Sequence, residues 1–168
     1  SWTGSTNFWD VYVINGSYKN TNFYDSGITA MMAGKAKQGV YRTYLRFKDF
    51  TKKIEGKYVD SATLTMYETG SSQSGQTIEA RRVTENWTRP GLKWSNRPGY
   101  STNYGNVKTT GTAKKARSIN LTEYARQCAS GKITSYGVML KNADETKSYG
   151  QFYSSRASSN RPKMSVTY

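Results

Sequence analysis

Apolar and polar residues alternate with period two in several short segments of the chain. Within Tyr41–Lys48, Tyr41, Thr43, Leu45 and Phe47 fall on one side, and Arg42, Tyr44, Arg46 and Lys48 on the other. Ser61–Glu68 repeats the pattern, with Ala62, Leu64 and Met66 facing one way and Thr63, Thr65 and Tyr67 the other. Further strands are predicted at Trp9–Ile14, Ile28–Ala33, Thr77–Thr84, Leu92–Trp94, Ser118–Asn120, Tyr136–Lys141, Gln151–Ser154 and Lys163–Tyr168. Clusters of Gly, Asn, Ser and Pro separate them, such as Asn15-Gly16-Ser17, Gly70 to Gly75, Arg89-Pro90-Gly91 and Ala157 to Asn160. Many short strands with regular breaks predict an all-β fold, an antiparallel β-sandwich of the jelly-roll type. One stretch departs from the pattern. Asn120, with Glu123 three residues later, reads as a cap, and Leu121, Tyr124, Ala125 and Cys128 recur at helical spacing until Gly131. One short helix is expected near residues 121–130, packed across an edge of the sandwich, with Cys128 a buried thiol on its apolar stripe.

Length and composition narrow the function. The 168 residues suit a single domain over 1–168, with no internal repeat and no linker. Aromatic residues make up 14% of the chain, which separates it from disordered basic tails. There is no histidine, so a Ser-His-Asp or Cys-His nucleophile and any His-ligated zinc or haem are excluded. The single cysteine excludes an intrachain disulfide and a thiolate zinc cluster. Neither a metal nor another cofactor is expected. No run of 18 apolar residues occurs, so no helix is expected to span a membrane. No stretch has the make-up of a signal peptide, and the chain is expected to be the mature part, or one excised module, of a larger secreted protein.

Catalytic patterns are weak. Glycoside hydrolysis usually takes two carboxylates about 5–10 Å apart. The acids here are scattered singly, and the one adjacent pair, Asp144-Glu145, sits in the Asn142–Thr146 loop, where it reads as a solvated turn. A polyuronate lyase could use Tyr as base and Arg or Lys against the carboxylate, but no spacing singles out a tyrosine. There is no P-loop, no dinucleotide-binding glycine motif and no nucleophile elbow. The chain therefore reads as a binding protein and not an enzyme.

Lys and Arg number 25 against 11 Asp and Glu, a net charge of +14. Eight of the cations fall between Lys35 and Lys57, against Asp49 and Glu55. Lys35 and Lys37 precede the Tyr41–Lys48 strand, which then presents Arg42, Tyr44, Arg46 and Lys48 on its polar side. Cations about 6–7 Å apart along one strand face match a repeating polyanion. Tyr44 and Tyr67 are expected on outward faces, where sugar rings could stack, and Tyr153 alternates away from Phe152. Arg81-Arg82 and Lys114-Lys115-Arg117 read as general surface, Trp87 and Trp94 as core. Nucleic acid competes as a partner for so basic a domain, but no RRM, KH, zinc-finger or helix-turn-helix pattern is present.

These residues resemble the DNRLRE domain. The likeness runs through Tyr41–Phe47, Ser61–Tyr67, Arg82–Trp87, Trp94–Pro98, Asn120–Tyr124, Ser135–Asn142, Phe152–Ser155 and Ser159–Tyr168, with weaker matches at Asp10–Val13 and Lys19–Phe23. The resemblance implies a jelly-roll sandwich of large secreted bacterial and archaeal proteins, part of which is classed as carbohydrate-binding module family 96, with alginate bound mainly through Lys and Arg. By position, the matching residues are Lys19, Lys35, Lys37, Arg42 and Arg46, with Tyr153 near the last strands. Where the family usually has Asp after its Leu-Arg-Phe motif, this chain has Lys48. Where an acid commonly follows Phe-Tyr-Ser-Ser, it has Arg156. Both add positive charge, and no calcium site is carried over. The expected function is a noncatalytic, extracellular, monomeric module that binds an acidic polysaccharide, alginate foremost, with no specific nucleic acid and no membrane as partner. The candidate ligand residues are Lys19, Lys35, Lys37, Arg42, Tyr44, Arg46, Lys48, Tyr153 and Arg156. The alternatives are a wall-anchoring or adhesive domain that binds teichoic acid or another polyanion, and a structural spacer.

Overall fold

A computed structural model describes residues 1–168. In chain order the elements are β1 (Trp2–Thr3), β2 (Phe8–Ile14), β3 (Ala30–Ala36), β4 (Gly39–Phe47), α1 (Phe50–Ile54), β5 (Ser61–Tyr67), β6 (Thr77–Val83), β7 (Tyr100–Lys108), β8 (Ala116–Asn120), α2 (Thr122–Ala129), β9 (Val138–Asn142), β10 (Tyr149–Tyr153) and β11 (Lys163–Thr167). They build two antiparallel sheets. The smaller has the order β1-β11-β5-β8. The larger has the order β10-β3-β4-β9-β6-β7, with β2 paired along β4 from Phe8 opposite Phe47 to Ile14 opposite Tyr41. The all-β sandwich expected from the alternating pattern is the observed fold.

The core lies where the two inner faces meet. Ala62, Leu64, Met66, Ile119 and Met164 of the smaller sheet pack with Leu45, Phe47, Ile78, Ala80 and Leu140 of the larger. Helix α2 adds Tyr124, Ala125 and Cys128 to the same cluster. It spans Thr122–Ala129, inside the expected range, and the Asn120 side-chain oxygen accepts a bond from the Thr122 N–H at 2.9 Å. Cys128 is fully buried, and burial pushes its thiol up to about 11.

Close backbone approaches fix how the strands join. Gly34 (φ +121°) and Gly137 (φ +91°) occupy backbone conformations that L side chains avoid. A β-carbon at these positions would strike the Ser148 and Leu45 carbonyl oxygens. Beyond Gly34, β3 leaves the β4 ladder. There the Thr43 hydroxyl accepts from the Met32 N–H at 3.0 Å and donates to the Met32 carbonyl at 2.7 Å.

Four elements differ from the pattern-based expectation; one is the two-residue strand β1, too short to show alternation. Leu92–Trp94 is not a strand; a turn there leads into a 3-10 helix at Trp94–Asn96. Strand β7 was hidden by its composition, since Tyr100–Lys108 is rich in Ser, Thr, Asn and Gly. It is an edge strand that pairs only with β6, with register shifts near Arg81. Helix α1 is too short for a periodic signal.

A basic cleft beside a covered sheet face

The outer face of the larger sheet carries Arg42, Tyr44 and Arg46 of β4, with Val13, Val11 and Trp9 of β2 as their cross-strand partners. This face is not open. Residues 84–97 lie across it, and Trp87 and Leu92 bury themselves against Val11, Val13, Tyr44, Val83 and Met139 as a second apolar cluster. The Trp87 indole N–H donates to the Tyr136 carbonyl at 2.7 Å. The expectation of a continuous polar stripe is therefore corrected. Tyr44 is 0% exposed, with its ring edge-on to Trp87 at 5.9 Å, so neither ring face is free for a sugar. Burial pushes its hydroxyl up to about 12. Tyr67 is half-buried on the other sheet and shares no surface with Tyr44.

The covering segment divides the cations of β4. To one side, Arg42 donates two bonds to Glu145, Nε to Oε2 at 2.9 Å and Nη2 to Oε1 at 3.0 Å. Its guanidinium lies 4.7 Å from the Trp94 ring centre and 5.5 Å from that of Tyr100. Its charge is thus met by a carboxylate. Lys35 is exposed on β3 opposite Val40, and Lys37 is exposed in the β3–β4 turn. Lys19 is exposed beside the 94–96 turn, its carbonyl accepting from the Ser95 N–H at 2.8 Å. None of these three makes an ion pair.

To the other side, a cleft of about 940 Å3 opens between β4, α1 and residues 86–90. Trp9, Arg46, Lys48, Lys52 and Arg89 line it, with Asn86, Thr88, Thr134 and Ser135 supplying neutral polar groups and Asp49 a single acid. Arg46 donates to Asn86 Oδ1 at 2.6 Å and to the Trp87 carbonyl at 3.1 Å, which fixes its head without neutralising it. Arg89 stacks 4.8 Å from the Trp9 ring centre and donates to the Ser5 carbonyl. Burial lowers the proton affinity of both guanidinium groups.

Arg156, like Arg42, meets a carboxylate. Its Nη2 is 3.2 Å from Asp10 Oδ1, and it also donates to the Asp10 and Ile28 carbonyls. It acts as a structural pin across the free edge of β2. Tyr153 is half-buried on β10 opposite Ala30. No three His, Cys, Asp or Glu side chains come together as a metal cage, and no helix is long and apolar enough to cross a membrane.

The model of carbohydrate-binding module family 96 matches residues 2–168, nearly the whole chain. The chain belongs to carbohydrate-binding module family 96. No curated protein matches it. A module of this family binds carbohydrate. The cleft combines one tryptophan with hydrogen-bond donors on a concave surface. Trp9, Lys52 and Arg89 escaped the sequence reading. The available signal was the pairing of Trp9 with Arg46 across β2 and β4, which needs the register to be known.

Proposed function

We propose that this carbohydrate-binding module grips an acidic polysaccharide, alginate foremost, in the cleft lined by Trp9, Arg46, Lys48, Lys52 and Arg89. One observation carries the reading. None of these four cations makes an ion pair, whereas Arg42, Arg81 and Arg156 each meet a carboxylate. Half-buried guanidinium groups without counter-charge are costly to desolvate, and an anion entering the cleft relieves that cost. Trp9 stands directly opposite Arg46 in the β2–β4 register, so their Cβ atoms are about 5 Å apart on one face. A uronate ring against Trp9 would bring its carboxylate within reach of Arg46 and Arg89, whose planar forks suit bidentate pairing. Lys19, Lys35 and Lys37 extend the positive field beyond the cleft and draw the polymer in. The DNRLRE likeness supports a secreted or cell-surface setting and a single monomeric domain.

Exposed ion pairs contribute only about 0.2–1 kcal/mol each. Four of them with one stacked ring give an affinity on the order of millimolar. Binding falls steeply with added salt, as for other linear polyanions that release counter-ions. Gel retardation tests the reading. Arg46→Ala with Arg89→Ala weakens alginate retardation at least tenfold. Lys48→Ala with Lys52→Ala, both exposed, weakens it severalfold with no change in Tm. Unchanged retardation in both variants would remove the cleft from the binding surface. Preferential retardation by a phosphate polymer would favour a wall-anchoring role, equal retardation by DNA and every polyanion would mean unspecific attraction, and none at all would leave a spacer.

A further inference from the structure

On the far side of the 84–97 segment, cationic and aromatic groups alternate. Arg97 lies 4.3 Å from the Trp94 ring centre, Arg42 lies 4.7 Å from the same ring and 5.5 Å from Tyr100, and Arg81 lies 5.8 Å from Tyr100. Glu145 and Glu79 hold the ladder from the sides, Glu145 on Arg42, Glu79 on Arg81, and Lys141 3.7–3.9 Å from both. Three cations against two carboxylates leave one positive charge, and the exposed Arg97 adds a second. Tyr100 is 41% exposed, so part of its ring is available to a ligand. Beneath lies the Tyr44 hydroxyl, fully buried and without any hydrogen-bond partner. Arg42, Arg97, Tyr100 and Glu145 are the charged and polar groups around it.

We infer that this ladder is a second carbohydrate subsite, in which Tyr100 stacks on a sugar ring and Arg97 with the Tyr44 hydroxyl takes a sugar carboxylate. An unsatisfied buried hydroxyl is unfavourable, and a carboxylate oxygen that enters beside Arg97 satisfies it. Glu145 and Glu79 hold Arg42 and Arg81, and the Trp94 carbonyl accepts from Arg97 at 2.9 Å, so little side-chain freedom is lost on binding. The inference rests on the acidic-polysaccharide reading of the cleft but concerns different residues. Arg42 and Arg46, which mark the two sites, are four residues apart on β4, about 13 Å. One polymer chain can therefore cross the covering segment and engage both, which raises its apparent affinity above either site alone.

The indole N–H signals of Trp9 and Trp94 report the two sites separately. The experiment is an NMR titration of the intact module with an alginate trisaccharide. Both indoles are expected to shift, along curves with different midpoints. Arg97→Ala with Tyr100→Ala weakens the Trp94 curve at least fivefold and leaves the Trp9 curve in place. Tyr44→Phe removes only the partnerless hydroxyl, so Tm stays level or rises while the Trp94 curve weakens. A Trp94 signal that stays still while Trp9 titrates overturns the second subsite, as does a Trp94 curve indifferent to these variants. So does a Trp94 curve that vanishes with Arg46→Ala and Arg89→Ala. A still Trp9 signal with a moving Trp94 signal would instead count against the cleft alone.

Discussion

Arg156 and Arg89 flank the same tyrosine, Tyr24, at 5.8 and 4.8 Å, yet their chemistry differs. Arg156 faces Asp10, which is 1% exposed and also accepts from the Ser155 N–H at 2.9 Å. Arg89 makes no ion pair and bonds only a backbone carbonyl. Removing the first leaves a buried carboxylate without its cation, while removing the second leaves no opposite charge stranded. Arg156→Ala is therefore expected to destabilise the fold by about 3–5 kcal/mol and to leave alginate affinity within twofold when measured well below the lowered Tm. Denaturant unfolding alongside gel retardation checks both parts. A tenfold affinity loss with unchanged stability would return Arg156 to the binding surface. Strand alternation and the family likeness marked Arg42, Arg46 and Arg156 equally as cations for a polymer. What separates them is a carboxylate remote in sequence, Glu145 for Arg42 and Asp10 for Arg156, and only the fold brings those together.

The element that decides the outer face is the segment over residues 84–97. It has little regular structure and is anchored by Trp87, which is 7% exposed, by Leu92, and by Asn22, whose amide donates to the Arg89 and Leu92 carbonyls at 2.7 and 2.8 Å. Trp87→Ala is expected to cost about 3–5 kcal/mol and to loosen the wall carrying Asn86, Thr88 and Arg89, so alginate affinity falls together with Tm. A stable variant with wild-type affinity would show that the cleft does not depend on this wall. The strands were legible, in the covered sheet and the other alike, because period-two alternation in Tyr41–Lys48 and Ser61–Glu68 follows directly from a sheet with one face in the core. The cover was not. Alternation assigns a residue to a face, and it does not tell whether a loop later closes over that face. Tyr44 was assigned to the correct side of β4 and then buried by Trp87, a residue 43 positions away. For the same reason the apolar spacing of Leu92 and Trp94 imitated a strand, although Leu92 is buried under the cover and Trp94, at the start of a 3-10 turn, packs half-buried against the same cluster.

At the scale of the whole molecule, a net charge of +14 works against compactness, and a few buried acids hold separate parts of the chain together. Glu68 is the clearest. It directly follows β5, forms a bridge to Phe152 of β10, and is 0% exposed. Its carboxylate accepts from Ser72 Oγ at 2.8 Å, from Thr110 N–H and Oγ1 at 2.9 and 2.6 Å, and from the Gly111 N–H at 3.0 Å. Burial pushes the carboxyl up, but the bonds from Thr110, Ser72 and Gly111 more than offset this and hold it below its ordinary value. A carboxyl depressed in the folded state contributes stability in full above its unfolded value, about pH 4.3. That contribution is lost as pH falls through the lower folded value. Acidification also neutralises the other carboxylates, and with all 11 protonated the charge rises from +14 to +25, so repulsion grows at the same time. Comparison with Glu68→Gln separates the two effects, because repulsion acts on both proteins alike while only the wild type can protonate this site. At pH 7 the variant is expected to be about 2–3 kcal/mol less stable, through loss of charge-assisted bonds. Below pH 4 the difference should shrink as the wild-type carboxyl takes up its proton. Unfolding curves for both proteins from pH 7 to pH 3 measure it, and a gap that stays constant across that range would mean that Glu68 contributes by its shape and not by its charge.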